Sequence, residues 1–508
     1  MMYNVCSMKK FALKILATAT LAAFFALDAS ATGRITMSLS RDGFVNIRLA
    51  GTGIVTIDWG DNTPAEMYWL AGYSDTKETY ILERYWRRFN EMTELTITIT
   101  GDSIVGLECS GLGITDLDVS QNPMLKILMC RGNNLTKLDV TANTALEELW
   151  CSSNLLTELD IKQNTNLRYL DCSDNRLNTL DVSQNAALET LHCYKNNLTT
   201  LNLNNNSVLK ILNCSNNQLT SLVFSANSAL IDVDCQYNNL PELNLSGLAN
   251  LEKLLCNNNL LNDLNISENT RLTYLNCSKN LLKRLILGDN TVLTDLNCEH
   301  NQLTDLSVSR NSALKILICN NNQISALDVS ANIALEGLDC SDNKITSLDV
   351  TNNVGLAALF CANNQITSLN IGNNTGLNEL NCANNQLSEL DVRNNRALRQ
   401  LDCHNNQIAS LDVVNNIRLL HLNCRNNQLS ELNLRKNRQL IYLYCRDNQI
   451  SRLDMRKNRE LIRLDCRNNK LTSLKLRKNR NLADLYCCNN ELKRLNTRKN
   501  KWLVNLCL

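Results

Sequence analysis

Only 3 prolines and 5% aromatic residues occur in 508 positions, too few bulky side chains for several independent globular cores. Histidine appears 4 times, at the widely separated positions His192, His300, His404 and His421. The chain holds no H-E-x-x-H, no G-x-S-x-G, no Walker loop and no dinucleotide fingerprint, so the commonest protease, esterase and nucleotide chemistries have no footing in it. No C-x-x-C or Cys/His spacing occurs either, which argues against zinc. Aspartates are plentiful, but nothing singles out one pair of them for hydrolysis. The expectation is a protein that is not an enzyme and needs no metal or cofactor.

Long apolar runs are missing except at the start. Residues 1–31 begin with Lys9 and Lys10, continue through an apolar stretch from Phe11 to Leu27 and end in Ala29-Ser30-Ala31. That is the pattern of a secretory signal peptide cut after Ala31. The stretch is short for a membrane anchor and carries Lys14. The mature chain is therefore expected outside the cytoplasm, whether extracellular, on the cell surface or periplasmic, with no transmembrane segment and without Cys6.

Cysteine is what the chain has in excess, with 22 copies. Export would normally turn such a count into disulfides. The spacing argues otherwise: nineteen of them, from Cys109 to Cys487, fall 21 residues apart without an insertion or deletion, and only Cys6, Cys488 and Cys507 stand outside the series. A period this strict marks a stacked repeat in which each cysteine fills one equivalent place per coil. Leu167–Ala187 shows the unit, L-x-x-L-x-C-x-x-N-x-L-x-x-L-D-V-S-x-N-x-x, and nineteen units run from about Ile104 to Trp502.

This is the leucine-rich-repeat pattern with cysteine in place of one strand leucine. Leu170 and Cys172 alternate with Tyr169, Asp171 and Ser173, as a strand with one buried face requires. Leu180 and Val182 alternate likewise, so the return path is expected to be extended and not helical. One coil of 21 residues buries too little to fold alone, and stacking must supply the rest. The expected architecture is mostly β: a right-handed leucine-rich-repeat solenoid over residues 104–508, with about 19 repeats, a parallel concave sheet and an extended convex side.

Two asparagine columns accompany the cysteines, one from Asn133 to Asn490 and one from Asn122 to Asn500, the latter broken by Leu248. Carboxamides donate and accept at once, so buried ladders of them can satisfy backbone groups where the chain leaves the sheet. For the cysteines, adjacent rungs roughly 4.8 Å apart are close enough for disulfides, but parallel side chains in register point the same way and closure would need strain. Buried free thiols are the expectation. Cys488 and Cys507 should instead point outward from the last two strands, roughly 8 Å apart on ideal geometry, which leaves a terminal bridge between them open.

The repeats resemble bacterial surface leucine-rich-repeat proteins of the internalin type, especially those whose 21-residue repeats carry a cysteine ladder and an L-T-x-L-D-V-[ST]-x-N return, seen here as Leu135 to Asn143. The resemblance covers about 400 residues. It implies an extracellular adhesion or host-interaction module that binds through the concave face. The chain departs from the family pattern in lacking a helical cap before the first repeat and a cell-wall sorting signal after the last. Residues 32–103 are not repeats. Short β-type runs at Val45 to Leu49, Ile54 to Ile57 and Leu95 to Thr100, separated by Gly, Asn and Asp turns, suggest a small β-sandwich that caps the first coil. Within it, Ile57-Asp58-Trp59-Gly60-Asp61-Asn62 resembles the W-G-D-G turn of PKD-like domains, with Asn62 in place of the last glycine. A tight turn over a packed Trp59 is the preferred reading there, ahead of Ca²⁺ binding by Asp58 and Asp61.

The positions expected to face out of the sheet lie three and one before each cysteine and one and two after it. These hold every repeat tyrosine and all four histidines, and exposed aromatics anchor interfaces. The candidate partner-binding residues are Trp150, Tyr169, His192 and Tyr194 in one cluster; Arg425, Tyr442, Tyr444, Arg446, Arg463, Arg467 and Tyr486 in a second; and Phe360, His404 and His421. Arg425, Arg446 and Arg467 share one column and should repel one another unless something anionic lies along them. From Asp391 onward the chain holds 25 Lys and Arg against 10 Asp and Glu, so the basic end suggests an anionic polysaccharide as a second kind of partner. A protein on a host or neighbouring-cell surface is the leading expectation, and nucleic acid is not expected. The last coil's partly covered apolar face leaves end-to-end self-association open.

Overall fold

The computed structural model describes residues 33–74, 79, 80, 82–224 and 227–507; the leader read in 1–31 and Leu508 lie outside them. The chain forms two compact units, Met1–Leu209 and Lys210–Leu508, with five ladder cysteines in the first and fourteen in the second. Both are built of strands, and no helix occurs among the described residues.

The first unit opens with β1 (Arg34–Asp58), β2 (Glu66–Ala71), β3 (Tyr73–Ser74), β4 (Thr79–Tyr80) and β5 (Glu83–Thr100). Two of the short runs read from the sequence lie within the single strand β1, which bends at Gly43 (φ 81°) and Gly53 (φ 84°). β1 pairs antiparallel with β2 and β5. Ile35, Met37, Val45, Ile47, Val55, Ile57, Ile97 and Ile99 are fully buried between these strands. β1 also pairs antiparallel with β6 (Ile104–Glu108), the strand of the first coil, and with β7 (Ile114–Asp118), its return segment. Backbone groups at the edge of the first coil are thus satisfied by β1 and not by solvent. Trp59 is 1% exposed, with its indole N–H donated to Glu66 at 3.1 Å. Asp58 accepts the Gly60 N–H, while Asp61 binds Thr63 and Arg87, so both carboxylates are engaged in holding the turn.

Each coil, named here by its cysteine, contributes a strand of only three residues, such as Tyr169–Asp171, paired in parallel and in register with its neighbours: Leu170 lies beside Leu149 and Leu191. The second unit repeats this from Ile211–Asn213 to Asn505–Cys507. In every coil from Cys109 to Cys487 the residue after the strand is the cysteine, where the described strands run from Ile104–Glu108 to Asp484–Tyr486. In the Cys172 coil Leu167, Leu170, Cys172, Leu177 and Val182 are all completely buried and Leu180 nearly so, and stacking places each against its equivalent in the next coil. Return segments are extended and then close through tight turns, as in Asn185 N–H to Val182 O and Leu188 N–H to Asn185 O. Asp263–Asn265 and Arg284–Ile286 even pair as a small parallel sheet on that side.

All nineteen ladder cysteines are free and buried, and burial pushes thiols such as Cys130 and Cys193 up to about 12. The first asparagine column does what its chemistry allows on both sides: Asn280 donates to the carbonyls of Cys256 and Cys277, in its own and the preceding coil, and accepts the Leu261 N–H. The second column only donates. Asn332 gives its amide to Val308 O and Asn311 O, yet its Oδ1 is buried without a partner among the described residues, because the nearby turn N–H groups already bond to backbone carbonyls.

The geometry at Cys488 and Cys507 differs from ideal strands. The pair forms a disulfide with Cα atoms 5.4 Å apart, well under the 8 Å expected, because Cys488 has already left the strand Asp484–Tyr486 for the turn that follows it.

Candidate interaction surface

The strand ends after three residues, and the residue two beyond each cysteine is already in the left-handed region: Asp174, Lys195, Tyr237, Lys279 and His300 all have φ near 53°. The four supposedly equivalent outward positions are therefore two on the sheet and two on the turn that leaves it. Tyr194, His404, Arg425, Arg446 and Arg467 belong to the turn; Trp150, Tyr169, His192, Phe360, His421, Tyr442, Tyr444, Arg463 and Tyr486 belong to the strands. Most of these side chains are half-buried, since strand neighbours spaced roughly 4.8 Å apart cover one another.

The first cluster forms in the first unit. Trp150 and Tyr169 stack with centroids 4.0 Å apart and a 21° interplanar angle, and His192 meets Tyr169 edge-on at 5.8 Å. The Trp150 N–H is donated to Glu148. Burial, and after it the Asp171 carboxylate, pushes the Tyr169 phenol up to about 12, so it stays a neutral donor. Tyr194 sits one residue beyond Cys193, on the turn.

The second cluster lies in the second unit. His421 packs edge-on against Tyr442 at 5.9 Å and Tyr444 at 5.5 Å; burial lowers the His421 imidazole, against the opposing pull of Asp402, keeping it neutral near pH 7. Arg467 lies over the Tyr486 ring at 5.2 Å.

The expected self-repelling arginine line is corrected by this geometry. Arg467 grips buried Asp465 with two hydrogen bonds of 2.8 and 2.6 Å, Arg446 lies 3.6 Å from Asp447 and 3.9 Å from Asp465, and Arg463 reaches Asp484 at 2.8 Å. The turn folds the residue after each cysteine back toward carboxylates one before or two after a cysteine, so the column supplies its own anions. Of these three column arginines, Arg425 alone has no ion pair among the described residues.

The remaining candidates stand apart. Phe360 has Asp339 and Asn381 beside it in the sheet and joins neither cluster. His404 is bound to Asp402 at 2.6 Å, and Asn423 donates to the other Asp402 oxygen. Burial raises the Asp402 carboxyl, but the hydrogen bond and charge of His404 outweigh it and hold the group below its ordinary value. Sequence reading missed this network and the acidic partners Asp465 and Asp484, since a lone Asp in a strand carries no spacing signal. It also missed Ile211, 40% exposed three residues before Cys214, although its column could have flagged it.

The aspartates of the return segments are accounted for as turn caps. Asp139 accepts both the N–H and the hydroxyl of Thr141, and Asp349 does the same for Thr351; these hydrogen bonds hold both carboxyls below the usual range. No group of three or more His, Cys, Asp or Glu suited to a metal ion occurs among the described residues. Among the described residues there is no helix long and apolar enough to cross a membrane.

No protein-family model matches the sequence, and no curated protein does. Solved structures do. The plant peptide hormone receptor RGFR1, in complex with RGF2, aligns with a TM-score of 0.66 at 19% identity over 73% of this chain and 68% of that one. The Arabidopsis receptor kinase HAESA, in complex with the peptide hormone IDA and the co-receptor SERK1, aligns with a TM-score of 0.60 at 21% identity over 76% and 78%. These likenesses show the repeat fold. The functional domain of InlJ from Listeria monocytogenes, which includes a cysteine ladder, is 30% identical over 76% of this chain and 72% of that one, with a TM-score of 0.44. On that identity and coverage, together with the unbroken 21-residue ladder, the chain belongs to the leucine-rich-repeat proteins of the internalin type.

Proposed function

We propose that the protein is an exported, non-enzymatic adhesion module that binds a protein partner on the outer face of its strand ladder. The observation that carries this reading is the second cluster: His421, Tyr442 and Tyr444 packed edge-on across adjacent strands, with Tyr486 under Arg467. Rigid aromatics lose little entropy on binding, and arginines held by carboxylates keep a planar donor face aimed outward. The internal ion pairs favour a protein interface over a bare cationic groove, because much of the charge is already neutralised. Trp150, Tyr169, His192 and Tyr194 form a second contact area of the same kind. Export through the leader read in residues 1–31 places the module where such partners are met, and the peptide partners of RGFR1 and HAESA support the protein class.

The test is capture of host or neighbouring-cell surface proteins by the wild-type chain, repeated with Tyr442→Ala/Tyr444→Ala. Loss of roughly 2 kcal/mol or more of affinity for the captured partner, little affected by salt and with unchanged melting, supports the reading. An undiminished affinity in the double variant removes the second cluster from it.

A further inference from the structure

Away from the sheet, the last four coils repeat one basic turn: Arg435-Lys436-Asn437-Arg438, Arg456-Lys457-Asn458-Arg459, Arg477-Lys478-Asn479-Arg480 and Arg498-Lys499-Asn500-Lys501. Every one of these twelve cationic residues is exposed, while the asparagine inside each run is buried. The buried residue fixes the register. Asn458 donates to Asn437 O at 2.7 Å and to Leu434 O at 3.0 Å, Asn479 to Asn458 O at 2.6 Å, and Asn500 to Asn479 O at 2.6 Å. The backbone beneath the charges is therefore set before any ligand arrives, and the cations stand in three columns of four with roughly 5 Å between rungs.

Little compensates them. Asp454 pairs with Arg456 at 2.7 Å and with Arg435 at 3.5 Å; the other ten have no ion pair among the described residues. Fixed like charges at this spacing repel one another and hold counterions that a polyanion would release.

We propose that this ribbon binds a linear anionic polysaccharide, a chain bearing sulfate or carboxylate groups on successive sugars, laid along the stacking direction of the coils. Evenly spaced cations in straight columns suit a polymer with an evenly repeated charge. No aromatic side chain is interleaved among the columns to stack bases, as single-stranded nucleic acid requires. Ile417, one rung before Arg438, and Trp502 and Val504 at the far end are exposed apolar side chains at the margins of the ribbon, too few and too scattered for insertion into a bilayer. The site is separate from the aromatic face and stands or falls independently of the protein-binding reading.

The probe is heparin, with binding to the full chain measured at rising salt. The variant Lys457→Gln/Arg459→Gln/Lys478→Gln/Arg480→Gln removes four exposed charges and no ion pair or ladder hydrogen bond, and Lys283→Gln, in the Cys277 coil, serves as control. The expected result is binding that weakens steeply with salt, drops on the order of tenfold or more in the quadruple variant and is unchanged in the control. Three results overturn the proposal: no heparin binding by the wild type at low salt, equal binding by the quadruple variant, or binding to duplex DNA or anionic phospholipid vesicles as tight as to heparin.

Discussion

Lys279 shows what the turn costs a single residue. It is held at φ 53° and is exposed, a conformation that only glycine adopts without penalty. Lys279→Gly should therefore raise stability by roughly 0.5–1 kcal/mol in chemical denaturation, after the extra entropy of an unfolded glycine is subtracted; destabilisation would mean that the lysine side chain makes a contact of greater worth. Asp339 carries an electrostatic burden. Burial raises its carboxyl, so its contribution to stability is greatest below the ordinary carboxylate value of 3.8 and is lost as pH rises through the folded value. Asn276 and Asn213, in the same column of other coils, accept the same N–H two residues on that Asp339 accepts from Ser341. Asp339→Asn should keep that bond, stabilise the protein at pH 7 and flatten the fall in melting temperature between mildly acidic and neutral pH. An unchanged pH profile would contradict the assignment.

At the scale of the coil, much was legible in advance and some was not. The 21-residue period fixed which residues point inward, since Leu170 and Cys172 can be buried together only on one face of a strand, and the free buried thiols followed from that. The strand's length did not follow. Alternation through Ser173 is compatible with a longer strand, and only the left-handed turn at Asp174 ends it; the Asn, Asp and Gly in that column, with no β-branched residue, were the missed signal. The Cys488–Cys507 bridge could only be left open for the same reason, as the roughly 8 Å of ideal strand geometry does not apply past the turn. The asparagine columns looked alike in sequence and differ in use. Asn280→Ala would leave the buried Leu261 N–H without its acceptor and take one of two donors from the Cys256 and Cys277 carbonyls, which keep Asn259 and Asn301, and should cost roughly 1–3 kcal/mol. Asn280→Asp keeps the acceptor but turns a buried carboxylate oxygen onto the two carbonyl oxygens that now receive the amide, so it should rescue little. Full rescue by Asp would show that the donated bonds to Cys256 and Cys277 contribute nothing.

For the whole molecule, the central claim is that one periodic set of thiols forms the interior and so assigns every flanking side chain to an outer surface, aromatic on the strands and basic on the last return turns. The aromatic columns were visible in the sequence because tyrosine and histidine are confined to them. Their grouping into two clusters was read from neighbouring coils; which rings touch, and the ion pairs to Asp465 and Asp484, were not, because these depend on rotamers that spacing does not encode. The measurement that tests the claim most directly is thiol labelling by a small maleimide without reductant, counted by intact mass. The account predicts that the nineteen ladder cysteines stay unlabelled in the native protein and all react in denaturant, while Cys488 and Cys507 react only once reductant is added as well. Rapid labelling of the ladder in the folded protein would contradict it.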